Sequence, residues 1–222
     1  MPSRSLLALA CAALVLATGA RAATAGAAHN VPVNGTFAPT FWDALCKEQH
    51  RFSILKDIIR CAGMVKLLQS TNLCGTFFPP DNKAWDEVLV DDLGISVKEL
   101  LLPVNQRLLT EFVQSLVVPG TQLYKEDWPV WPKKVWYKTL HPKNKIGIEM
   151  DDGGPRTSDS YDVDGNDDDA ELIPKPYLVD LKVGTCGVMQ SLDDVVTWKG
   201  WKNAIGRNVH AWRRRHHHGK GK

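Results

Sequence analysis

Between Glu149 and Glu171 the chain carries ten acidic residues and a single base, Arg156. Within that run, "SDSYDVDGNDDDAE" places Asp162, Asp164, Gly165, Asp168 and Glu171 at positions 3, 5, 6, 9 and 12 of a calcium loop beginning at Ser160. Carboxylates at that spacing can converge their oxygens on a hard cation. Three features oppose the reading: serine at position 1, Asp167 at position 8 where an apolar residue belongs, and Pro174 and Pro176 where a flanking helix should run. The expected state is therefore a solvated acidic insert, 149–171, between two strands. A weak calcium site of the millimolar kind found in extracellular modules is the alternative. No other cofactor is expected.

Other chemistry-bearing residues are sparse. The "HHH" at 216–218 lies in a polar tail, and three adjacent histidines cannot preorganise one metal geometry. His50 and His141 are far apart, each beside ordinary polar residues, and read as surface histidines. The serines occupy no G-x-S-x-G elbow, and no glycine-rich phosphate loop is present. The expectation is a protein that is not an enzyme, with an uncharacterised secreted hydrolase as a second alternative. Trp128, Trp131 and Trp136, beside Lys133 and Lys134 in "DWPVWPKKVWYK", could form a sugar-stacking surface. Core and rim packing is the expected role, because tryptophan is usually largely buried.

From Lys199 onward the chain holds Lys199, Lys202, Arg207, Arg213, Arg214, Arg215, Lys220 and Lys222 and no acid. Trp198, Trp201, Ile205, Val209 and Trp212 recur every three or four residues, so a helix would gather them on one face. A basic amphipathic helix suits an anionic surface such as a membrane or an acidic polysaccharide. Against it stand Gly200 and Gly206, each weakening a helix interior by about 1 kcal/mol relative to alanine. The expected boundary falls after Trp198, leaving 199–222 as a removable basic tail.

The elements that must position these residues follow from punctuation and period. The first 22 residues have a charged start at Arg4, an apolar run from Leu6 to about Leu16 and small residues near Ala22, the pattern of a secretory signal peptide. Residues 23–37 read as an N-terminal arm carrying a glycosylation sequon at Asn34. No other run reaches the roughly 20 apolar residues of a membrane span, and no lipid-anchor signal is seen, so the expected location is secreted, extracellular. The net charge of +2 nearly vanishes once Arg4 and Arg21 leave, which predicts no nucleic-acid partner from overall charge. Cys46, Cys61, Cys74 and Cys186 remain in the exported chain and allow three disulfide pairings.

Thr40 with Asp43, and Ser96 with Glu99, are capping-box-like helix starts. Phe52, Leu55, Ile58 and Ile59 mark a helical face. "GTFFPPDNKAWDEV" reads as a strand stopped by Pro79 and Pro80, with Asp81 capping a helix at once. A helix from Asn105 runs into a short Val117–Val118 strand, and four strand-like runs follow between 134 and 196. Helices thus crowd the first half and strands the second, an α+β layout.

The same residues resemble the fasciclin domain family. Thr76, Phe78, Pro80, Asn82 and Ala84 fall on its first signature, with Trp85 in place of phenylalanine. "FVQSLVVPG", with Pro119 and Gly120, resembles its central segment; "TCGVMQSLDDVV", with Gly187 and Asp193, resembles its closing signature. The resemblance covers about residues 38–198 and implies a β-rich wedge or sandwich of short strands with helices packed around it. It implies a secreted cell-adhesion or extracellular-matrix module acting by protein or glycan binding. A calcium- or acidic-glycan-binding protein is the first alternative. The receptor-contact Tyr-His pair of animal members is replaced by Ser115 and Leu116, and a closing histidine by Gln190. In that frame Cys74 and Cys186 each precede a glycine at the head of a signature strand. If those strands are neighbours, the implied pairing is Cys74–Cys186, leaving Cys46–Cys61.

Overall fold

The structure is a computed structural model that describes residues 38–130, 132–151, 154–159, 170–173 and 178–217. The signal segment, the arm with Asn34, and the calcium candidates Asp162, Asp164 and Asp168 lie outside the described residues.

The chain opens with three helices, α1 (Phe41–Lys47), α2 (Ser53–Cys61) and α3 (Val65–Leu68). Thr40 caps α1 by accepting from the Asp43 amide at 3.1 Å, as the sequence predicts. Strand β1 (Gly75–Phe77) ends at the double proline, and α4 (Asn82–Glu87) begins behind Asp81, whose carboxylate accepts from the Ala84 amide. A π-helical turn (Val88–Asp92) extends α4. Helix α5 (Val97–Leu100) starts at a complete capping box of Ser96 and Glu99, and α6 (Gln106–Ser115) leads into β2 (Val117–Pro119).

Four strands then form a second sheet: β3 (Val135–Lys138), β4 (Lys145–Asp151), β5 (Gly154–Asp159) and β6 (Ala170–Glu171), all antiparallel in chain order. β7 (Leu181–Val183) and β8 (Gly187–Met189) return to the first sheet, whose order is β2-β1-β8-β7. Here β1 runs parallel to β8, with Gly75 opposite Gly187. Helix α7 (Trp201–His217) closes the described chain.

Alternation along the short strands divides the interior in two. Phe77, Val117 and Met189 face the helices, in a core with Phe41, Trp85, Phe112 and Trp201. Phe78 and Val118 point the other way and pack with Trp128, Ile146, Ile148 and Leu192. The first sheet is thus a middle layer with helices on one face and the second sheet on the other. The α+β expectation stands, with one helix added at the C-terminal end.

The tight first sheet also decides the cysteines. Gly75 has φ +134°, and a Cβ there would sit 2.1 Å from the Val118 carbonyl oxygen, so only glycine lets β1 and β2 approach. The parallel pairing brings the preceding residues together, and Cys74–Cys186 is a disulfide with Cα atoms 4.8 Å apart. The expected Cys46–Cys61 bridge is not formed, and both thiols are free. Cys46 sits on the exposed side of α1, whereas Cys61 ends α2 with its Sγ donating to the Leu101 carbonyl at 3.6 Å. Burial pushes the Cys61 thiol above its ordinary pKa.

Candidate binding surface

Most signature residues build the fold. Thr76 is fully buried; its hydroxyl donates to the Thr121 carbonyl at 2.7 Å and accepts from the Leu123 amide at 2.9 Å. Asn82 staples the α1–α2 turn to α4, donating to the His50 carbonyl and Ser53 Oγ and accepting from the Ile54 amide. Pro80 bridges to Leu192, and Phe78 packs 6.3 Å from Trp128. Ala84 is fully buried in the helix-side core. Pro119 and Gly120 turn the chain out of β2, with Gly120 at φ +73°. Gly187 is the head of β8.

Asp193 accepts from the Glu171 amide at 2.9 Å, tying the closing segment to β6; burial raises its pKa. Gln190, in the histidine's place, is fully buried and donates to the Leu123 carbonyl and to Asp180 Oδ1. Asp180 in turn accepts from the Lys125 amide and holds φ +57°. This latch was not legible in the sequence, because its partners are separated by up to 67 residues.

The candidates for catalysis disperse. His141 is a loop cap, its Nδ1 accepting from the Lys143 and Asn144 amides, and its ring stacks on Trp198 at 5.5 Å. The ring is half-buried, and burial lowers its pKa. His50 is exposed on an open cleft of about 380 Å³ at the elbow, beside the Arg51–Asp81 ion pair at 3.7 Å. Leu116 is core and Ser115 Oγ donates to the Phe112 carbonyl, so the receptor-pair positions are structural here. Among the described residues, no three His, Cys, Asp or Glu side chains are grouped to hold a metal ion. Glu171, the remaining calcium candidate, pairs with Arg156 at 3.1 Å.

The basic tail needs the largest correction. Trp201, Ile205 and Val209 are fully buried, and Trp201 meets Trp85, Phe112 and Trp198 in an aromatic cluster with centroids 5.4–6.4 Å away. Its indole donates to the Leu108 carbonyl at 3.2 Å. Lys202 pairs with Asp92 at 2.7 Å, and Arg213 grips Glu99 through two nitrogens at 2.7 and 2.8 Å. That fork holds the Glu99 carboxyl at about 2, well below its ordinary 4.5. Asn208 donates to Asn105, which itself caps the end of α5. The apolar stripe read as a membrane or polymer face is core, and the domain does not end at 198. Of the anion candidates, Arg207, Arg214 and Arg215 remain exposed on α7. Lys199 is also exposed, just ahead of the helix.

The aromatic segment divides instead. Trp128 is buried at 4% exposure, and Trp131 lies outside the described residues. Trp136 is 41% exposed on β3, an edge strand of the second sheet. Its register partner is Gly147, where an added Cβ would lie 2.9 and 3.0 Å from two carbons of the indole. The ring therefore reclines on the backbone of β4, a position only glycine leaves open. Lys134 Nζ lies 5.8 Å from the ring centroid and 3.0 Å from Glu149 Oε1. Glu149 on β4 faces Arg156 on β5, and Arg156 reaches Glu171 on β6, so a ladder of alternating charge crosses the sheet beside the indole.

These layers define a class of fold. A solved FAS1 domain pair from the insect cell adhesion molecule fasciclin I aligns with the chain at a TM-score of 0.57 and 15% identity, over 73% of this chain and 52% of that one. The chain has a fasciclin-like fold, and it spans about half the length of that two-domain structure. No family model matches the sequence, and no curated protein matches it.

Proposed function

We propose that the chain is a secreted adhesion or extracellular-matrix module that works by binding, without catalysis. The observation that carries this reading is the fold's likeness to a domain pair of a cell adhesion molecule. The Cys74–Cys186 bridge supports an oxidising compartment, and the signal-like start and the Asn34 sequon support export. Among the described residues no helix is long and apolar enough to cross a membrane.

Partners are extracellular proteins or acidic glycans, the latter drawn by the exposed arginines of α7. Binding through those arginines is salt-dependent, because exposed charges are screened within about 8 Å at physiological ionic strength. The test is attachment. Surfaces coated with the exported chain, residues 23–222, retain matrix-bearing cells or isolated matrix, and reduced, unfolded protein does not. Equal retention on native and unfolded coats overturns the proposal.

A further inference from the structure

We infer that the outward row of α7, anchored by Arg207 and Arg214, holds a single strand of a linear polysaccharide bearing uronate or sulfate groups, laid along the helix axis. The inference rests on the reading of the chain as a binding module that takes acidic glycans, and it fixes the place and the form of that ligand.

Helix α7 carries Lys202, Arg207, Arg213, Arg214 and Arg215 and no acid. The fold uses only some of these charges. Lys202 and Arg213 are half-buried and are matched by Asp92 and Glu99. Arg207 and Arg214 are exposed and, among the described residues, are joined to no carboxylate. The helix dipole favours a cation at Arg214, in the last turn, but its influence fades within that turn and gives no reason for Arg207.

The helical period aligns Asn203, Arg207, His210 and Arg214 in one exposed row, opposite the buried Trp201, Ile205 and Val209. Arg207 and Arg214 stand two turns apart, about 10 Å along the axis. A guanidinium forks onto the paired oxygens of an anionic group. The ligand that meets both is a strand whose anions recur at that interval, as they do on alternate rings of an acidic polysaccharide. Asn203 and His210 lie on the same row, where they can bond its hydroxyls. Other anionic partners fit less well. A lipid surface draws on the apolar stripe of an amphipathic helix, and in α7 that stripe is core. A protein interface centres on aromatic or apolar anchors, and this row has none.

The experiment titrates the exported chain, residues 23–222, at about 0.1 M salt, where distant charges are screened. The probes are heparin, polygalacturonate, polyglutamate and phosphatidylserine vesicles at equal charge concentration, and neutral dextran. Saturable binding of heparin or polygalacturonate is expected, tighter than that of polyglutamate or vesicles, with little binding of dextran. R207E/R214E weakens it by about tenfold, on the scale of two exposed charge contacts, and flattens its salt dependence. K66E/K182E makes the same change in net charge at exposed lysines of α3 and β7. It stays within about twofold of the parent, because charges away from the contact are screened. Urea midpoints equal to the parent's show that the variants are folded. If R207E/R214E does not fold, R207Q/R214Q takes its place and is expected to weaken binding by about threefold.

Parent-like affinity in the folded α7 variant, or an equal loss in K66E/K182E, overturns the α7 row. Tighter binding of polyglutamate or vesicles, equal binding of dextran, or no binding of either acidic polysaccharide overturns the ligand class. If native coats still retain matrix in that event, the binding-module reading stands and only this inference falls.

Discussion

The two faces of the first sheet support very different neighbours. On the helix side lie Phe41, Phe52, Phe77, Trp85, Phe112 and Trp201, all buried, in one continuous core. On the other side the core is small, and the second sheet beyond it turns an outward face bearing an exposed indole and ion pairs. Strand residues that are neighbours in sequence, Phe77 and Phe78, serve opposite sides. The difference separates a face closed by packing from one that ends at a solvent-exposed surface. The helix side is closed by packing that tolerates little change, and the second sheet is packed on its inner face through Ile146 and Ile148 while its outer face bears the exposed Trp136.

The sharpest break in that contrast is removal of α7. Deleting residues 199–222 exposes the pocket around Trp85 and Phe112, and the chain is expected to lose its cooperative urea transition. The milder W201A should cost about 3–5 kcal/mol, typical of emptying a buried aromatic site. A truncated chain with the parent's transition would return α7 to the status of a tail.

Next comes the bridge beneath both faces. Replacing Cys74 and Cys186 by serine opens a closure of 112 residues. The expected loss is about 4–5 kcal/mol in the chain-entropy account, read from urea midpoints of parent and variant. N82A follows: it strips three hydrogen bonds at the elbow and should cost about 1–3 kcal/mol.

Acid provides a smaller and more selective perturbation. The folded-state Glu99 carboxyl sits at about 2, below its ordinary 4.5. A depressed carboxyl adds stability above its unfolded value, and that contribution disappears as pH falls from about 4.5 towards 2. E99Q should therefore narrow the fall in urea midpoint across that window relative to the parent, since the Arg213 clamp no longer titrates. An identical fall in both proteins would mean that the clamp does not hold α7. The smallest expected effect on stability belongs to W136A, within about 0.5 kcal/mol as for surface changes.

Legibility in the sequence followed the same divide. The caps at Thr40, Asp81 and Ser96 were readable because capping is local, satisfied within three residues. The Pro79–Pro80 elbow was readable because proline removes donors wherever it stands. Strand β5 was missed. "GPRTSD" has no apolar alternation and lies inside a run of acids, yet Thr157 and Ser158 are buried in it, Thr157 by pairing with both β4 and β6 and Ser158 by pairing with β4. Tertiary context overrode the residue preferences.

The tail was misread for a related reason. The period of Trp201, Ile205 and Val209 correctly announced an amphipathic helix, but period does not say whether the covering surface is a partner or the same chain. Nor could the cysteines be paired from spacing. Cys74 and Cys186 meet because a parallel register sets Gly75 beside Gly187, while Cys46 is exposed on α1 and Cys61 half-buried at the end of α2, both as free thiols.

By itself, then, the sequence determined the α+β class, the helix starts, the elbow and the amphipathic period of the last helix. Each follows from bonding and sterics within a few residues. Only the tertiary structure decided that α7 is core, that one disulfide forms, and that Trp136 lies bare on Gly147 beside a charged ladder. Those outcomes depend on residues brought together from distant parts of the chain by sheet register and close packing, which local preference does not encode.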